Sequence, residues 1–277
     1  MSRNWFITGT SSGIGRQLTE QLLARGDRVA ATLRRPGALD DLRATYGDAL
    51  WIGQVDVTDT VGLRSVVDAA FAALGRIDAV VSNAGYGAIG ALEEFADAQI
   101  DRQIATNFTG SVQLARAVIP HLRAQGGGQF LQIASALGQT ASPMTALYAA
   151  TKWAVEGMCE GLAMEVGAFG IKVTIVEPGA IRTDFGSRSA DAAAPMAVYD
   201  GTPVDRVRKM SADYPVRGDP VKMAAAIIRC VEGGEAPLRL LLGSDAWPRV
   251  TGVVQARLDA WHAQKDVAFS TDLAPAS

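Results

Sequence analysis

This chain predicts an open α/β fold, a doubly wound parallel sheet covered by helices on both faces, and three observations carry that prediction. Short β-rich runs alternate with longer helix-periodic segments along most of its length, which is the rhythm of successive βαβ units. A glycine-rich turn stands between the first run and the first helical stripe. The run Lys172 to Val176 is nearly all apolar, as a strand buried on both faces must be. With 277 residues, 48% of them hydrophobic and 20% charged, the chain has enough apolar surface for a full core. That composition excludes a disordered, collagen-like or coiled-coil protein, and residues 1–277 are read as one domain.

Strands are expected over Asn4 to Thr8, Arg28 to Leu33, Leu50 to Val55, Ala79 to Ser82, Gln129 to Ala134, Lys172 to Val176 and Leu238 to Leu242. Residues 184–218, between the sixth strand and the next helix, are irregular: Ser187 to Ala194 is small and polar, and Pro195, Pro203 and Pro215 punctuate the run. That position suits a lid over a ligand, with a plain surface insertion as the alternative. Within it Thr202-Pro203-Val204-Asp205 reads as a helix start, and Asp219-Pro220 opens the following helix in the same way. Residues 266–277 read as a loose tail.

Lys plus Arg total 26 against 29 for Asp plus Glu, a formal charge of −3, so the balance offers no footprint for nucleic acid or an anionic membrane. No apolar stretch approaches the roughly 18 residues of a spanning helix, and no basic segment precedes the first strand. Cys159 and Cys230 lie in apolar helical segments without metal-ligand spacing. A cytoplasmic protein without a metal is expected. His121 and His262 have no acidic partner at useful spacing and are read as surface or helix residues. Trp247, Trp261 and Val253 to Leu258 suggest a C-terminal amphipathic helix packed on the core or on another subunit.

Directly after the first strand comes Thr8-Gly9-Thr10-Ser11-Ser12-Gly13-Ile14-Gly15, and Leu18, Leu22 and Leu23 then mark a helix. Strand, glycine turn and helix N-terminus together form an anion site, because backbone N–H groups and the helix dipole point to one place. Gly9 permits the tight turn, Gly13 lets backbone approach a pyrophosphate, and Gly15 lets the helix pack close to the strand. The arrangement is that of a Rossmann-type sheet. At the end of the second strand, where a carboxylate would hold a ribose 2′-OH, the sequence reads Thr32-Leu33-Arg34-Arg35. A guanidinium suits a 2′-phosphate, so NADP(H) is expected in preference to NAD(H), carried mainly by Arg34. The alternative is that both arginines are solvated strand-end charges.

Tyr148-Ala-Ala-Thr-Lys152 opens a helical stretch running to about Phe169. The i, i+4 spacing puts phenol and ammonium on one face, where a cation lowers the phenol pKa and fits it for acid–base work. Ser135, at the end of the fifth strand, belongs to the same C-terminal sheet edge.

Taken together, these motifs resemble the short-chain dehydrogenase/reductase family, loosely its hydroxysteroid and retinol dehydrogenase branch. The resemblance spans Trp5 to about Leu242 and rests on Thr8-Gly9-x-x-x-Gly13-x-Gly15, Asp56-Val57, Asn83-Ala84-Gly85, Asn107, Ser135, Tyr148-x-x-x-Lys152 and Pro178-Gly179. It implies that Asp56 and Val57 flank the adenine, that Asn83, Ala84 and Gly85 shape the cofactor floor, and that Pro178, Gly179, Ile181 and Thr183 hold the nicotinamide. It further implies that Tyr148 protonates the carbonyl oxygen and Ser135 hydrogen-bonds it. Lys152 would bind the ribose and lower the tyrosine pKa, and Asn107 would position a water. Assembly as a homodimer or homotetramer, with a face on the helices Ala98 to Arg123 and Ala150 to Phe169, is also implied. The family often has asparagine and serine where this chain has Ser82 and Ala134, and the basic residue some NADP-using members carry in the glycine loop is absent.

Leu137, Met144, Ala180, Phe185 and Tyr199 follow the catalytic strand ends or sit in the expected lid, and their mostly apolar character favours a hydrophobic ketone or aldehyde. Three readings follow: an NADP(H)-dependent carbonyl reductase or alcohol dehydrogenase, a cofactor-recycling epimerase or dehydratase, and a non-catalytic NADP(H)-sensing protein.

Overall fold

Trp5, Phe6 and Ile7 are fully buried side chains on one strand. Successive side chains of a strand leave for opposite faces, so both faces of this sheet must be covered. The fold is described by a computed structural model for residues 2–35, 37–182, 190–210, 216–234 and 236–273. Its strands are β1 (Asn4–Thr8), β2 (Arg28–Leu33), β3 (Leu50–Gln54), β4 (Ala79–Ser82), β5 (Gly87–Ile89), β6 (Gly128–Ile133), β7 (Ile171–Pro178), β8 (Ala190–Ala192) and β9 (Arg239–Leu242). The helices are α1 (Gly13–Ala24), α2 (Asp40–Tyr46), α3 (Thr60–Leu74), α4 (Asp97–Ile104), α5 (Gly110–Ala124), α6 (Ala146–Val166), α7 (Pro203–Met210), α8 (Pro220–Glu232), α9 (Ala246–His262) and α10 (Lys265–Phe269). Among the described residues no helix is long and apolar enough to cross a membrane.

Seven parallel strands form one Rossmann-like sheet in the order β3-β2-β1-β4-β6-β7-β9. Trp5 and Ile7 pack with Leu18 and Leu22 of α1 and Ile227 of α8, while Phe6 packs on the other face with Val67 of α3, Leu114 of α5 and Val155 of α6. Each fully buried Leu, Ile or Phe of these layers contributes about 1.5–3 kcal/mol relative to an exposed one. Strand order reverses between β1 and β4, and ligands of open α/β sheets bind beyond the C-terminal edge at such a switch.

The structure departs from expectation in several places, among them the stretch expected as a loose tail, which opens with helix α10. The helix expected over Ala98 to Arg123 is interrupted by a π-helical turn at Ala105–Thr109, between α4 and α5. Strand β7 runs on through Glu177 to Pro178, because Leu241 and Leu242 of β9 pair with those two residues. The irregular stretch contributes β8, which pairs with β5 as a separate two-stranded parallel sheet. Residues 190–210 are held there by charge. Asp191 pairs with Arg102 at 2.7 Å and accepts from Gln99 Nε2 at 2.8 Å. The buried Glu94 accepts from the Ala91 and Met196 amides at 2.8 and 2.9 Å, and Arg208 Nη2 donates to both its oxygens at 2.7 Å. The two expected helix starts are in place: Thr202 Oγ1 accepts from the Val204 amide at 3.2 Å, and Asp219 accepts from the Val221 amide at 2.9 Å.

Candidate active site

The switch between β1 and β4 is bolted by one threonine and one asparagine. Thr8 Oγ1 accepts from the amides of Asn83 at 2.9 Å and Ala84 at 3.0 Å, and Asn83 Nδ2 donates back to the carbonyls of Thr8 at 2.9 Å and Gly9 at 3.0 Å. Gly9 and Gly13 have φ of 69° and 59°, the left-handed region that glycine enters without strain. A Cβ on Gly15 would stand 2.5 Å from both Asn83 Nδ2 and the Gly9 carbonyl oxygen, so the glycine is what lets α1 start this close to the sheet. Ser12 is the N-cap of α1 but makes no side-chain cap bond, and the first turn carries no acid. The first-turn N–H groups therefore suit an anionic oxygen, and the cradle fits a dinucleotide pyrophosphate. Ser11 and Ser12 are exposed beside it. The Ile14 side chain belongs to the core, leaving its backbone for contact.

At the end of β2 the Arg34 guanidinium is largely exposed and lies 3.7 Å from Asp56 Oδ2. Burial works to raise the Asp56 carboxyl, but the Thr58 amide and hydroxyl, at 3.0 and 2.8 Å, and Arg34 together hold it below the usual carboxylate range. Val57 is buried against Gly110, where a Cβ would meet its side chain at 3.0 Å.

Asn107 sits in the π-helical turn and is 1% exposed. Its side chain brackets the Tyr86 backbone, accepting from the amide at 3.0 Å and donating to the carbonyl at 2.8 Å, and Nδ2 also reaches Thr151 Oγ1 at 3.3 Å. Gly85 passes close by, a Cβ there falling 3.1 Å from Asn107 Oδ1. Ser135 follows β6, and its Oγ accepts from the Leu137 amide at 3.1 Å. A hydrogen bond joins Ser135 to the Tyr148 phenol in the first turn of α6. One turn on, Lys152 Nζ lies 5.6 Å from the Tyr148 ring centre and donates to the Ile133 carbonyl at 2.9 Å. Asn107, Ser135, Tyr148 and Lys152 are all buried on this one edge.

The electrostatics correct one expectation. Burial pushes Tyr148 up to about 12, and the bond to Ser135 offsets this only in part. Burial likewise brings Lys152 down to about 8, against a raising influence from Glu156. The lysine does not hold the phenol below its ordinary value here, because desolvation penalises both charged forms and the ammonium is directed to a backbone carbonyl.

Beyond Pro178 the chain is clamped by a residue that the motif reading missed. Asp245 Oδ2 accepts from the Ala180 amide at 2.9 Å, and a Cβ on Gly179 would lie 2.3 and 2.6 Å from the two Asp245 oxygens. Asp245 Oδ1 is buried without a hydrogen-bond partner. The available signal was the acid two residues after Gly243, whose φ of 120° ends β9 at the same sheet edge. Half-buried Ile181 pairs with Gly218 in an isolated bridge. Thr183 and Phe185 lie outside the described residues.

Of the expected substrate-side residues, Leu137 and Ala180 are half-buried at this edge. Met144 is buried with φ of 69°, the one positive value for a non-glycine among the described residues, and its carbonyl accepts from the Gly90 amide at 3.0 Å. Backbone strain of this kind gathers at ligand sites. Tyr199 is engaged elsewhere, through a hydrogen bond to Glu93 that raises its pKa. The expectation for His121 is also corrected: Nε2 lies 2.7 Å from Asp68 Oδ1, and the ring stacks on Phe71 with centroids 4.3 Å apart. The packing of α3 on α5 supplies a partner that sequence spacing conceals.

A family model described as short chain dehydrogenase matches residues 3–193. The chain is 37% identical over 250 residues, 89% of its length and 90% of the relative's, to Oxidoreductase BOA17 of Botryotinia fuckeliana. It is 32% identical over 253 residues, 86% of its length and 80% of the relative's, to retinol dehydrogenase 8 of Homo sapiens. Its fold superposes with a TM-score of 0.92 on a crystal structure of a short-chain dehydrogenase from Streptomyces avermitilis, with 38% identity and coverage of 99% and 100% of the two chains. A short chain dehydrogenase from Burkholderia cenocepacia in complex with NADP shares the fold with a TM-score of 0.75 at 24% identity, over 95% and 97% of the chains.

Proposed function

Because the chain belongs to the short-chain dehydrogenase family and is an oxidoreductase of that family, we infer that it is an NADP(H)-dependent carbonyl reductase, run in reverse as an alcohol dehydrogenase, on a hydrophobic ketone, aldehyde or secondary alcohol. The observation that carries this reading is the hydrogen-bonded Ser135–Tyr148 pair with Lys152 one turn behind it, at the sheet edge that also holds the glycine cradle. NADPH, when bound, supplies the hydride.

The chain's own groups do the rest. The first-turn amides of α1 and the cradle of Gly9, Gly13 and Gly15 hold the pyrophosphate, with Asn83, Ala84 and Gly85 as the floor. Arg34 turns from Asp56 to a 2′-phosphate, with which a guanidinium forms the stronger, bidentate pair. Pro178, Gly179 and Ile181 hold the nicotinamide end. Ser135 donates to the substrate oxygen, and Tyr148 delivers the proton as negative charge develops there. A phenol pushed up to about 12 arrives protonated at any physiological pH, as a general acid must. Lys152 binds the ribose hydroxyls, and its charge then favours the phenolate left behind. Asn107 holds a water that returns the proton.

Leu137, Met144 and Ala180 form an apolar wall, and residues 190–210 close over it as a lid, with Tyr199 on its Glu93 tether. Assembly as a homodimer or homotetramer in the cytoplasm belongs to the same reading. The test is NADPH oxidation by purified protein against aliphatic, aromatic and steroidal ketones and aldehydes, with NADH in parallel. Turnover favouring NADPH supports the reading. Tight NADPH binding with no turnover across the panel overturns it in favour of a recycling enzyme or a sensor.

A further inference from the structure

One turn of α6 beyond Lys152 lies Glu156, 4% exposed, and against it on β7 lies Glu177, 2% exposed. No motif points to either residue. Arg239 of β9 reaches Glu156 Oε2 at 3.1 Å and Glu177 Oε1 at 3.5 Å, and through Nη2 reaches Glu160 at 2.5 Å. Gln139 Nε2 donates to the same two buried oxygens, at 3.1 Å to Glu156 Oε2 and 2.9 Å to Glu177 Oε1. Three carboxylates thus surround a single guanidinium, and the two that share its Nε are buried. Like charges this close in a dry site do not both ionise, so the pair keeps a proton.

Glu156 is the member of the pair with an unmet polar atom. Glu156 Oε1 is buried without a hydrogen-bond partner. A Cβ on Gly138 would stand 3.0 Å from it and 3.3 Å from the Lys152 carbonyl oxygen, so two acceptors border the same small space. Burial and then Glu177 push Glu156 up to about 8, the level to which burial brings Lys152 down. The ionisable groups bearing on Glu156 are Lys152, Cys159 and Glu160 on its own helix, Glu177 on β7 and Arg239 on β9. From α9, Arg257 engages the Gln139 carbonyl and the Trp153 ring.

We propose that Glu156 and Glu177 are positioning residues that share one proton and set the charge of Lys152, and with it the alkaline limit of proton transfer at Tyr148. The proposal rests on the oxidoreductase reading above. As pH rises the pair gives up its proton, and the new anion appears one turn from Lys152 just where the ammonium would otherwise be lost. Glu156→Gln removes that late anion, so Lys152 deprotonates earlier. Glu177→Gln removes the rival, so Glu156 ionises at lower pH and Lys152 stays charged longer.

The test is the pH profile of kcat for NADPH oxidation, paired with an NMR titration of the lysine ammonium groups in the full-length protein, assigned by comparison with Lys152→Arg. The alkaline limb and the Lys152 midpoint should fall by about one pH unit in Glu156→Gln and rise in Glu177→Gln, as expected for a unit charge at this range in a partly desolvated site. Shifts of the same sign in both variants, or no shift, overturn the proposal, and a purely structural role predicts that result. If one variant fails to fold, the sign in the other decides. Opposite NMR shifts in a protein that oxidises no NADPH would uphold the pair and sink the oxidoreductase reading instead.

Discussion

Two regions of the molecule are built on opposite principles. At the β1–β4 edge the fixed points are short, neutral hydrogen bonds: Thr8 to Asn83 and Ala84, Asn83 back to Thr8 and Gly9, and Asn107 around Tyr86. The segment 190–210 is instead hung on charge, through Asp191 to Arg102 and Glu94 to Arg208, with β8 as its only strand among the described residues. The contrast teaches that the candidate catalytic edge is held by buried geometry with little freedom to move, whereas the segment proposed as a lid is held by a few ion pairs that single substitutions release. Changes at the edge should therefore alter rate, and changes in the segment should alter binding.

Four predictions bear on that division, from the largest effect to the smallest. Tyr148→Phe keeps the ring and removes the transferable proton, so kcat for NADPH oxidation should fall by about 10²-fold or more, with thermal stability nearly unchanged. Arg208→Ala leaves the Glu94 carboxylate buried and unpaired, which costs about 3–5 kcal/mol when such a pair is fully buried. Arg208 is partly exposed at 24%, so a smaller loss is expected, read as faster proteolysis near residues 190–210 and a raised substrate KM at unaltered kcat. A fall in kcat with unchanged KM would erase the distinction between the two regions.

Arg34→Ala should weaken NADPH by about tenfold while leaving NADH alone, the scale of one charge-assisted contact. An unchanged NADPH to NADH ratio in direct binding would remove Arg34 from the cofactor. The fourth effect is a pH dependence of stability. Glu156 is raised in the folded chain, so between its unfolded value and about pH 8 the native state holds a proton that the unfolded chain has lost. Stability from this group is complete at low pH and declines as pH rises through that window. Asp56, Glu94 and Asp205 are lowered instead, so their contribution is present at neutral pH and is lost in acid. Melting temperature should drift down from about pH 5 to about pH 8, and Glu156→Gln should flatten that drift.

Much of this was legible in the sequence where one local rule decided the outcome. The expected β1, β2 and β4 match the observed Asn4–Thr8, Arg28–Leu33 and Ala79–Ser82 residue for residue, because apolar runs bounded by turns and helices leave a parallel strand little latitude. The strand–glycine–helix order likewise placed the cradle, and the i, i+4 spacing placed Tyr148 and Lys152 one turn apart. What stayed hidden depends on pairing across the fold. The π-helical turn at Asn107 joins α4, which packs on α6, to α5, which packs on α3 and α6, and three-residue β8 has no sequence period to read. His121 meets Asp68, Asp245 meets Ala180, and Glu156 meets Glu177 at separations that no motif spans. The raised Tyr148 stayed hidden for a related reason: charge proximity is visible in a sequence, whereas desolvation is not.

The most direct measurement follows the hydride. NADPH carrying deuterium at the reactive C4 position would be mixed with a carbonyl compound that the enzyme turns over, and the products analysed by mass spectrometry. The account predicts one deuterium on the carbinol carbon of the alcohol, with the label remaining on the cofactor when Tyr148→Phe is used. Recovery of all the label on NADPH with the wild-type protein, despite conversion of the substrate, would contradict it.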